Sequence, residues 1–142
     1  MNQYKVVVNE PKAKEKPEFR ICEIEFYLID NSLKHHEDTF THGDPIQGTN
    51  GKWYFHRMNP KNPSSFKAGT YKGMDLSFGS KENGVFGGIL IRAIMNLKTK
   101  EYIEGPCNTV TTLLKCFGVS EFKDMNLKTW PHHDGDAFDS SS

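Results

Sequence analysis

The sequence predicts an α+β fold, because several stretches with strand character are followed by one with helical spacing. The clearest strand is Phe19–Leu28, where side chains alternate between two distinct faces. The longest apolar run is Val85–Leu97, and its continuity is typical of a central strand that is covered on both faces. From Pro106 onward, apolar residues recur at the period of a helix. The 142 residues are enough for one domain with its own core.

The other predicted strands are shorter and are separated by residues that break regular structure. Tyr4–Val8 is a candidate edge strand, and a flexible connector follows it. Lys52–Arg57 has the aromatic content of a strand. Residues 59–69 are rich in Asn, Pro and Ser, which predicts a turn or an exposed tip. Tyr71–Phe78 then alternates again, with Met74, Leu76 and Phe78 opposite Asp75 and Ser77.

One helix is predicted near the end of the chain. It begins at Pro106, and Gly118 is its stop signal. Its apolar positions follow the i, i+3, i+4, i+7 pattern and are Val110, Leu113, Leu114 and Phe117. We therefore divide the chain into an N-terminal strand and linker (1–18), an α+β domain (19–125) and a flexible acidic tail (126–142).

Composition favours an intracellular protein, nuclear or cytoplasmic. The three cysteines are an odd number without zinc-type spacing, which indicates reduced thiols. No apolar run fits a signal peptide or a membrane span, so no membrane partner is expected. The net charge is zero, but residues 52–100 carry nine basic and two acidic side chains between acidic flanks. This pattern fits either a phosphate-binding surface beside an acidic cleft or an ordinary solvated lysine surface.

The strand at Phe19–Leu28 has two carboxylates and a tyrosine on a single face. Side-chain alternation puts Glu23, Glu25 and Tyr27 together. The opposite face is expected to meet the core and consists of Cys22, Ile24, Phe26 and Leu28. The face with the carboxylates either meets solvent or lines a pocket.

The order of motifs along the chain adds a second line of inference. It comprises E-x-E-x-Y, a histidine after a polar loop, an aromatic strand, Y-K-G-M-D-L-S, G-G-I-L-I-R-A-I and a Gly-Pro that opens a helix. In this order and over residues 19–119, the chain resembles the alkyladenine (3-methyladenine, methylpurine) DNA glycosylases. The segments that carry the resemblance are Glu23–Tyr27, His42, Trp53–Arg57, Tyr71–Ser77, Gly87–Ile94 and Gly105–Val119.

The resemblance implies a curved, mainly antiparallel sheet with peripheral helices that holds a damaged base flipped out of DNA. Glu25 matches the catalytic glutamate, and Tyr27 matches a ring that stacks on the base. His42 matches the pocket histidine and Arg92 the arginine near the catalytic water. Asp75 stands where the family has an asparagine that contacts the base edge.

The chain also departs from the family pattern. Much of the region after the Gly-Pro helix is absent, and GTNGKWYFHR replaces a run of the type R-N-x-G-M-F. The second stacking aromatic is therefore Trp53, Phe55 or His56. Tyr71 is the first candidate for the residue that wedges into the duplex, and Phe66 is the next. The predicted DNA contacts are Tyr71, Lys67, Lys72 and Arg57.

The expected function is a monofunctional DNA glycosylase of base excision repair, a monomer acting on double-stranded DNA without a cofactor. Hydrolysis of an N-glycosidic bond needs a carboxylate to activate water and to stabilise the cationic sugar. A flipped base needs aromatic faces in place of its lost stacking. No lysine is placed for a Schiff base, so the abasic site should remain intact.

Two other functions stay open. The first is an N-glycosidase that acts on nucleosides or nucleotides, and the second is a non-catalytic binder of nucleic acid or of a modified base. A metal site is not expected, because the histidine-rich stretches at 35–44 and 131–136 fall in predicted loops rather than on rigid elements.

Overall fold

A computed structural model describes residues 4–9, 14–30, 45–59, 61–62 and 64–125. These residues form six strands, one α-helix and four short 3-10 turns. The strands are β1 (Lys5–Val7), β2 (Glu18–Asp30), β3 (Asn50–Phe55), β4 (Met74–Phe78), β5 (Val85–Asn96) and β6 (Tyr102–Glu104), and the helix is α1 (Pro106–Lys115). The 3-10 turns are Pro45–Gly48, Gly69–Tyr71, Lys81–Asn83 and Phe122–Asp124.

The strands form one curled antiparallel sheet in the order β1-β2-β5-β4-β3, and β6 pairs with β5. The central position predicted for the apolar run is confirmed, since β5 pairs with β2 on one side and with β4 and β6 on the other. β4 pairs with residues 88–90 of β5, and β6 pairs with residues 93–95. The predicted α+β class with a curved antiparallel sheet is confirmed.

The helix closes the core at one end of the sheet. As the sequence predicts, α1 begins at Pro106, and the chain turns away at Gly118, whose φ is 81°. This positive φ favours glycine because an L side chain would meet its own backbone there. The apolar face of α1 joins side chains of the sheet in the main core cluster, which includes Phe55, Met74, Ile91, Ile94, Val110, Leu113 and Leu114.

The prediction that the face of β2 with Ile24 and Phe26 meets the core is wrong for the central part of the strand. Ile24 and Phe26 are 46% and 63% exposed. β2 instead contributes to the core through Phe19 and Ile21, before a break in register at Glu23. The physical reason is that α1 packs against β5 and β6, so the core forms at the end of β2 that carries Phe19. A strand's alternation separates its faces but does not say which one is covered.

Several element boundaries differ from the prediction. β1 is an edge strand as expected, but Val8 next to it is in the core, so the N-terminal segment is part of the same sheet. β4 begins at Met74 because Gly69–Tyr71 forms a 3-10 turn. β3 ends at Phe55, and Arg57 forms an isolated bridge with Phe66.

The tail at 126–142 lies outside the described residues. Among the residues described, no helix has the length and apolarity needed to span a bilayer.

Candidate functional site

A row of paired residues crosses four strands on a single face of the sheet. Glu25 of β2 pairs with Leu90 of β5, Leu90 pairs with Asp75 of β4, and Asp75 pairs with Tyr54 of β3. Directly paired residues of antiparallel strands project to the same side. We call this side the polar face and define it by Glu25, Tyr27, Tyr54, Asp75 and Ser77. Three predicted site residues, Glu25, Tyr27 and Asp75, therefore share one surface although β2 and β4 are not neighbours.

Arg92 forms an ion pair with Glu25 at the rim of the polar face. Its Nη1 donates to Oε2 of Glu25 at 2.6 Å, and the two side chains are 43% and 44% exposed. An ion pair this accessible to water contributes about 1 kcal/mol or less to stability. Its stronger effect is to orient the Glu25 carboxylate. A contact of this kind is compatible with a catalytic role for Arg92 and with a purely structural one.

Tyr27 lies beside Glu25 and is half-buried. Burial is the main cause that raises the pKa of its phenol, and the hydrogen bond and negative charge of Glu25 raise it further. Arg92 acts in the opposite direction, and Asp75 adds to the increase. Because the pKa moves upward from 10.0, the hydroxyl keeps its proton at neutral pH. It therefore presents a neutral aromatic ring with a hydrogen-bond donor.

Asp75 is a buried carboxylate with two side-chain partners. It is 2% exposed, and its Oδ1 lies 2.7 Å from Nε2 of His56. Because a carboxylate only accepts hydrogen bonds, Nε2 is the donor. Nε2 of Gln47, from the turn Pro45–Gly48, lies 3.5 Å from the other oxygen. This arrangement places Asp75 behind His56 rather than directly at an open surface.

The sequence analysis missed two residues that lie close to Asp75 and His56, namely Tyr54 and Gln47. Tyr54 is fully buried on the polar face, and its ring centroid lies 5.5 Å from that of His56. Alternation within β3 could have placed these two residues together. Gln47 gave no comparable signal, because it reaches Asp75 from a loop 28 residues away in sequence.

A cleft of ≈ 290 Å³ opens beside His56. It lies between the residues preceding β4 and the first turn of α1, where β6 replaces β4 as the neighbour of β5. Leu90, which separates Glu25 from Asp75 in the row, is part of its lining. Its other lining residues include Tyr71, Gly73, Cys107 and Asn108. The volume lies just below the usual range of ligand pockets, about 300–1,000 Å³.

Two of the three candidates for the second stacking aromatic lie on the opposite face. Phe55 is 6% exposed, and its ring contacts Phe122 with centroids 5.3 Å apart. Trp53 pairs with Leu76 and packs against the core. Because successive residues of a strand alternate, Trp53 and Phe55 lie away from the polar face, and of the three candidates only His56 lines the cleft.

Two of the residues predicted to contact DNA have buried side chains. Lys72 is 5% exposed, and its Nζ donates to Glu121 at 2.9 Å and to the carbonyl of Ser120 at 3.2 Å. Arg57 is 6% exposed, with its guanidinium 5.5 Å from the centroid of the Phe66 ring. Both side chains are buried, so neither is placed to contact DNA in this structure.

The remaining DNA-contact candidates differ in exposure. Tyr71 is 77% exposed at the mouth of the cleft, and Lys67 is half-buried. Phe66, the alternative wedge, is 8% exposed and stacks on Phe122 at 4.6 Å, so its ring is unable to enter a duplex without leaving the core. Tyr71 therefore remains the wedge candidate.

His42 and both histidine-rich stretches lie outside the described residues. Within the described ranges, no group of three or more His, Cys, Asp or Glu side chains is arranged to hold a metal ion.

Gly88 makes room for the Asp75 carboxylate. A Cβ at this position would lie 2.5 Å from Oδ2 of Asp75 and 3.0 Å from its Cβ. We expect Gly88→Ala to lower the free energy of unfolding by about 1–3 kcal/mol through overpacking. Chemical denaturation of Gly88→Ala, Asp75→Ala and the double variant measures the coupling. Alanine at position 75 removes the carboxylate oxygen that would lie 2.5 Å away but keeps the Cβ at 3.0 Å, so it should relieve part of the clash, and purely additive effects would contradict this placement.

Comparison with known proteins finds a viral relative of this chain but establishes no family. The chain is 37% identical over 118 residues to an uncharacterized protein of Acanthamoeba polyphaga mimivirus. The match covers 75% of this chain and 52% of the relative, so the chain spans about half the length of that protein. No protein-family model matches the sequence. No solved structure matches it either.

Proposed function

We propose that this protein is a monofunctional DNA glycosylase that hydrolyses the N-glycosidic bond of a flipped, alkylated or deaminated purine. The observation that supports it is the shared polar face, on which Glu25 contacts Arg92 and lies beside Tyr27. A carboxylate next to a neutral aromatic ring is the pair that water activation and base stacking need.

Each of these residues has a separate task. Glu25 accepts a proton from the water that attacks C1′, and its negative charge stabilises the oxocarbenium-like sugar. Arg92 orients this carboxylate through the contact at 2.6 Å. Tyr27 offers its ring to the extruded base, and Tyr71 at the cleft mouth fills the space that the base leaves in the duplex.

A second candidate is an N-glycosidase that acts on free nucleosides or nucleotides. It is favoured by the internal positions of Lys72 and Arg57, which remove two cations from the expected DNA-binding surface. The polar face would then perform the same reaction without base flipping.

Base release from two kinds of substrate tests these functions. Duplexes that contain hypoxanthine, ethenoadenine or 3-methyladenine are incubated with the protein, and the same bases are offered as free nucleosides. Release from duplex supports the DNA glycosylase, and release from nucleosides alone supports the second candidate. No release from either, by folded protein, would contradict both.

Lys67 is the cation to test for phosphate contact. We expect Lys67→Ala to weaken duplex binding and to reduce the slope of log Kd against log salt by about one, because one counterion fewer is released. The exposed Lys16, which precedes β2, provides the control Lys16→Ala. Fluorescence anisotropy over a range of salt concentrations measures both slopes. Equal slopes for Lys67→Ala and wild type would exclude this contact.

A further inference from the structure

The face of the sheet opposite the polar face carries a second row of paired residues. It runs from Trp53 of β3 through Leu76 of β4 and Ile89 of β5 to Phe26 of β2. We call these four residues the apolar row. Trp53 packs against the core, Leu76 and Ile89 are half-buried, and Phe26 is 63% exposed. The cover that the described elements provide therefore decreases along the row from β3 to β2.

The exposed end of the apolar row is broader than one side chain. The ring of Phe78 meets the ring of Phe26 with centroids 6.1 Å apart. It also lies over Gly87, where a Cβ would come within 2.6 Å of it. Ile24, two residues before Phe26 on β2, is 46% exposed. Single exposed apolar side chains are ordinary, but a contiguous group of them marks a surface that binds another segment or molecule.

The described part of the chain ends close to this face. The Phe122 ring lies 5.3 Å from that of Phe55, and Met125 packs against the same core cluster. Phe55 and Trp53 are two residues apart on β3, so they lie on one face of the sheet. Segment 126–142 therefore begins near the covered end of the apolar row.

Segment 126–142 has the length and an aromatic side chain to cross the row. Three strand spacings separate Trp53 from Phe26, about 14 Å along the sheet. The five residues from Met125 to Trp130 reach about 17 Å when extended. A short tether also gives a segment an effective concentration of about 1 mM, which a second copy of the chain does not reach in dilute solution. The segment is therefore favoured over a second copy as the occupant of this face.

We propose that segment 126–142 folds back across the apolar row and that the Trp130 ring packs on Ile89 and Phe26. This inference does not depend on the reaction of the polar face. The first part of the tail is then ordered, in contrast to the flexible tail that the sequence predicts. Phe26 lies next to Glu25 on β2, so a cover on this side also holds the strand that carries the carboxylate.

Fluorine NMR of the full chain labelled with 5-fluorotryptophan tests this contact. The chain has two tryptophans, Trp53 and Trp130, so it gives two signals, and Trp130→Phe assigns them. A soluble gadolinium chelate broadens the signals of rings that are accessible to water. We expect the Trp130 signal to be protected from the chelate in the native protein and to lose this protection in urea.

Phe26→Ser removes the proposed contact from the row. Because Phe26 is 63% exposed, its loss should leave the fold intact, which thermal unfolding checks. The Trp130 signal should become as accessible to the chelate as it is in urea. Tyr102→Ser is the matched control, since Tyr102 is an aromatic residue of β6 that is 50% exposed and lies outside the row. It should leave the protection of Trp130 unchanged.

Three results would overturn this inference. The first is a Trp130 signal that is as accessible in the native protein as in urea. Sedimentation would then show either a dimer that Phe26→Ser dissociates, with a second copy on the row, or a monomer with a bare row. The second is protection that persists in Phe26→Ser, which would place Trp130 elsewhere. The third is an equal loss of protection in Tyr102→Ser, which would reflect a change of the whole fold.

Discussion

Glu25→Gln should reduce base release about 10³-fold, the largest effect expected on activity. The amide keeps the size of the side chain and can still accept from Arg92, but it is unable to take a proton from water or to stabilise a cationic sugar. Because the Glu25–Arg92 pair is more than 40% exposed at both side chains, the free energy of unfolding should change by less than about 1 kcal/mol. Single-turnover base release and thermal unfolding measure the two quantities.

Glu23→Gln is the matched control, since Glu23 is an exposed carboxylate two residues earlier on β2. It should retain nearly all activity. If both variants lost activity equally, the loss would reflect β2 as a whole rather than the carboxylate of Glu25. If Glu25→Gln remained fully active, the general base would be another group.

Glu121→Gln should destabilise the fold by about 3 kcal/mol, the largest effect expected on stability. It removes the charge that compensates Lys72, whose side chain is 3% exposed, while Glu121 itself is 24% exposed. Loss of one partner of a buried ion pair leaves an uncompensated charge away from water. Urea denaturation gives the free energy of unfolding directly.

The control for this variant is Glu15→Gln. Glu15 pairs with Lys98 at 2.8 Å, but these side chains are 75% and 76% exposed, so water screens the pair. We expect no measurable change in the free energy of unfolding, because solvent screens an exposed pair. Equal effects of the two variants would mean that Lys72 reaches water in solution.

The same ion pair predicts a dependence of stability on pH. The hydrogen bond from Lys72 is the main cause that lowers the pKa of Glu121 from its ordinary value of 4.5. A lowered pKa in the folded state stabilises the protein above the unfolded value, and this contribution is lost as the pH falls through the folded value. The difference in unfolding free energy between wild type and Glu121→Gln should therefore shrink below pH 4.5. A constant difference down to acid unfolding would exclude this linkage.

Local patterns in the sequence were sufficient for much of the fold. The continuous apolar run predicted the central β5, and Gly-Pro followed by helical spacing predicted α1. Alternation in β2 placed Glu25 and Tyr27 on one face, because that property belongs to the strand alone. An anionic partner for Arg92 could be expected, since it lies within an apolar strand, but the sequence left Glu23 and Glu25 equally open.

Only the tertiary structure decided which strand faces and which charged side chains are buried. The exposure of Ile24 and Phe26 depends on where α1 packs, and the internal position of Lys72 depends on Glu121, 49 residues away in sequence. Gln47 reaches Asp75 in the same way, from a turn that carries no periodic signal. Sequence periodicity acts over a few residues, whereas burial and charge pairing depend on which distant segments meet. Strands and their faces are thus set locally, and the environment of each face is set by the whole fold.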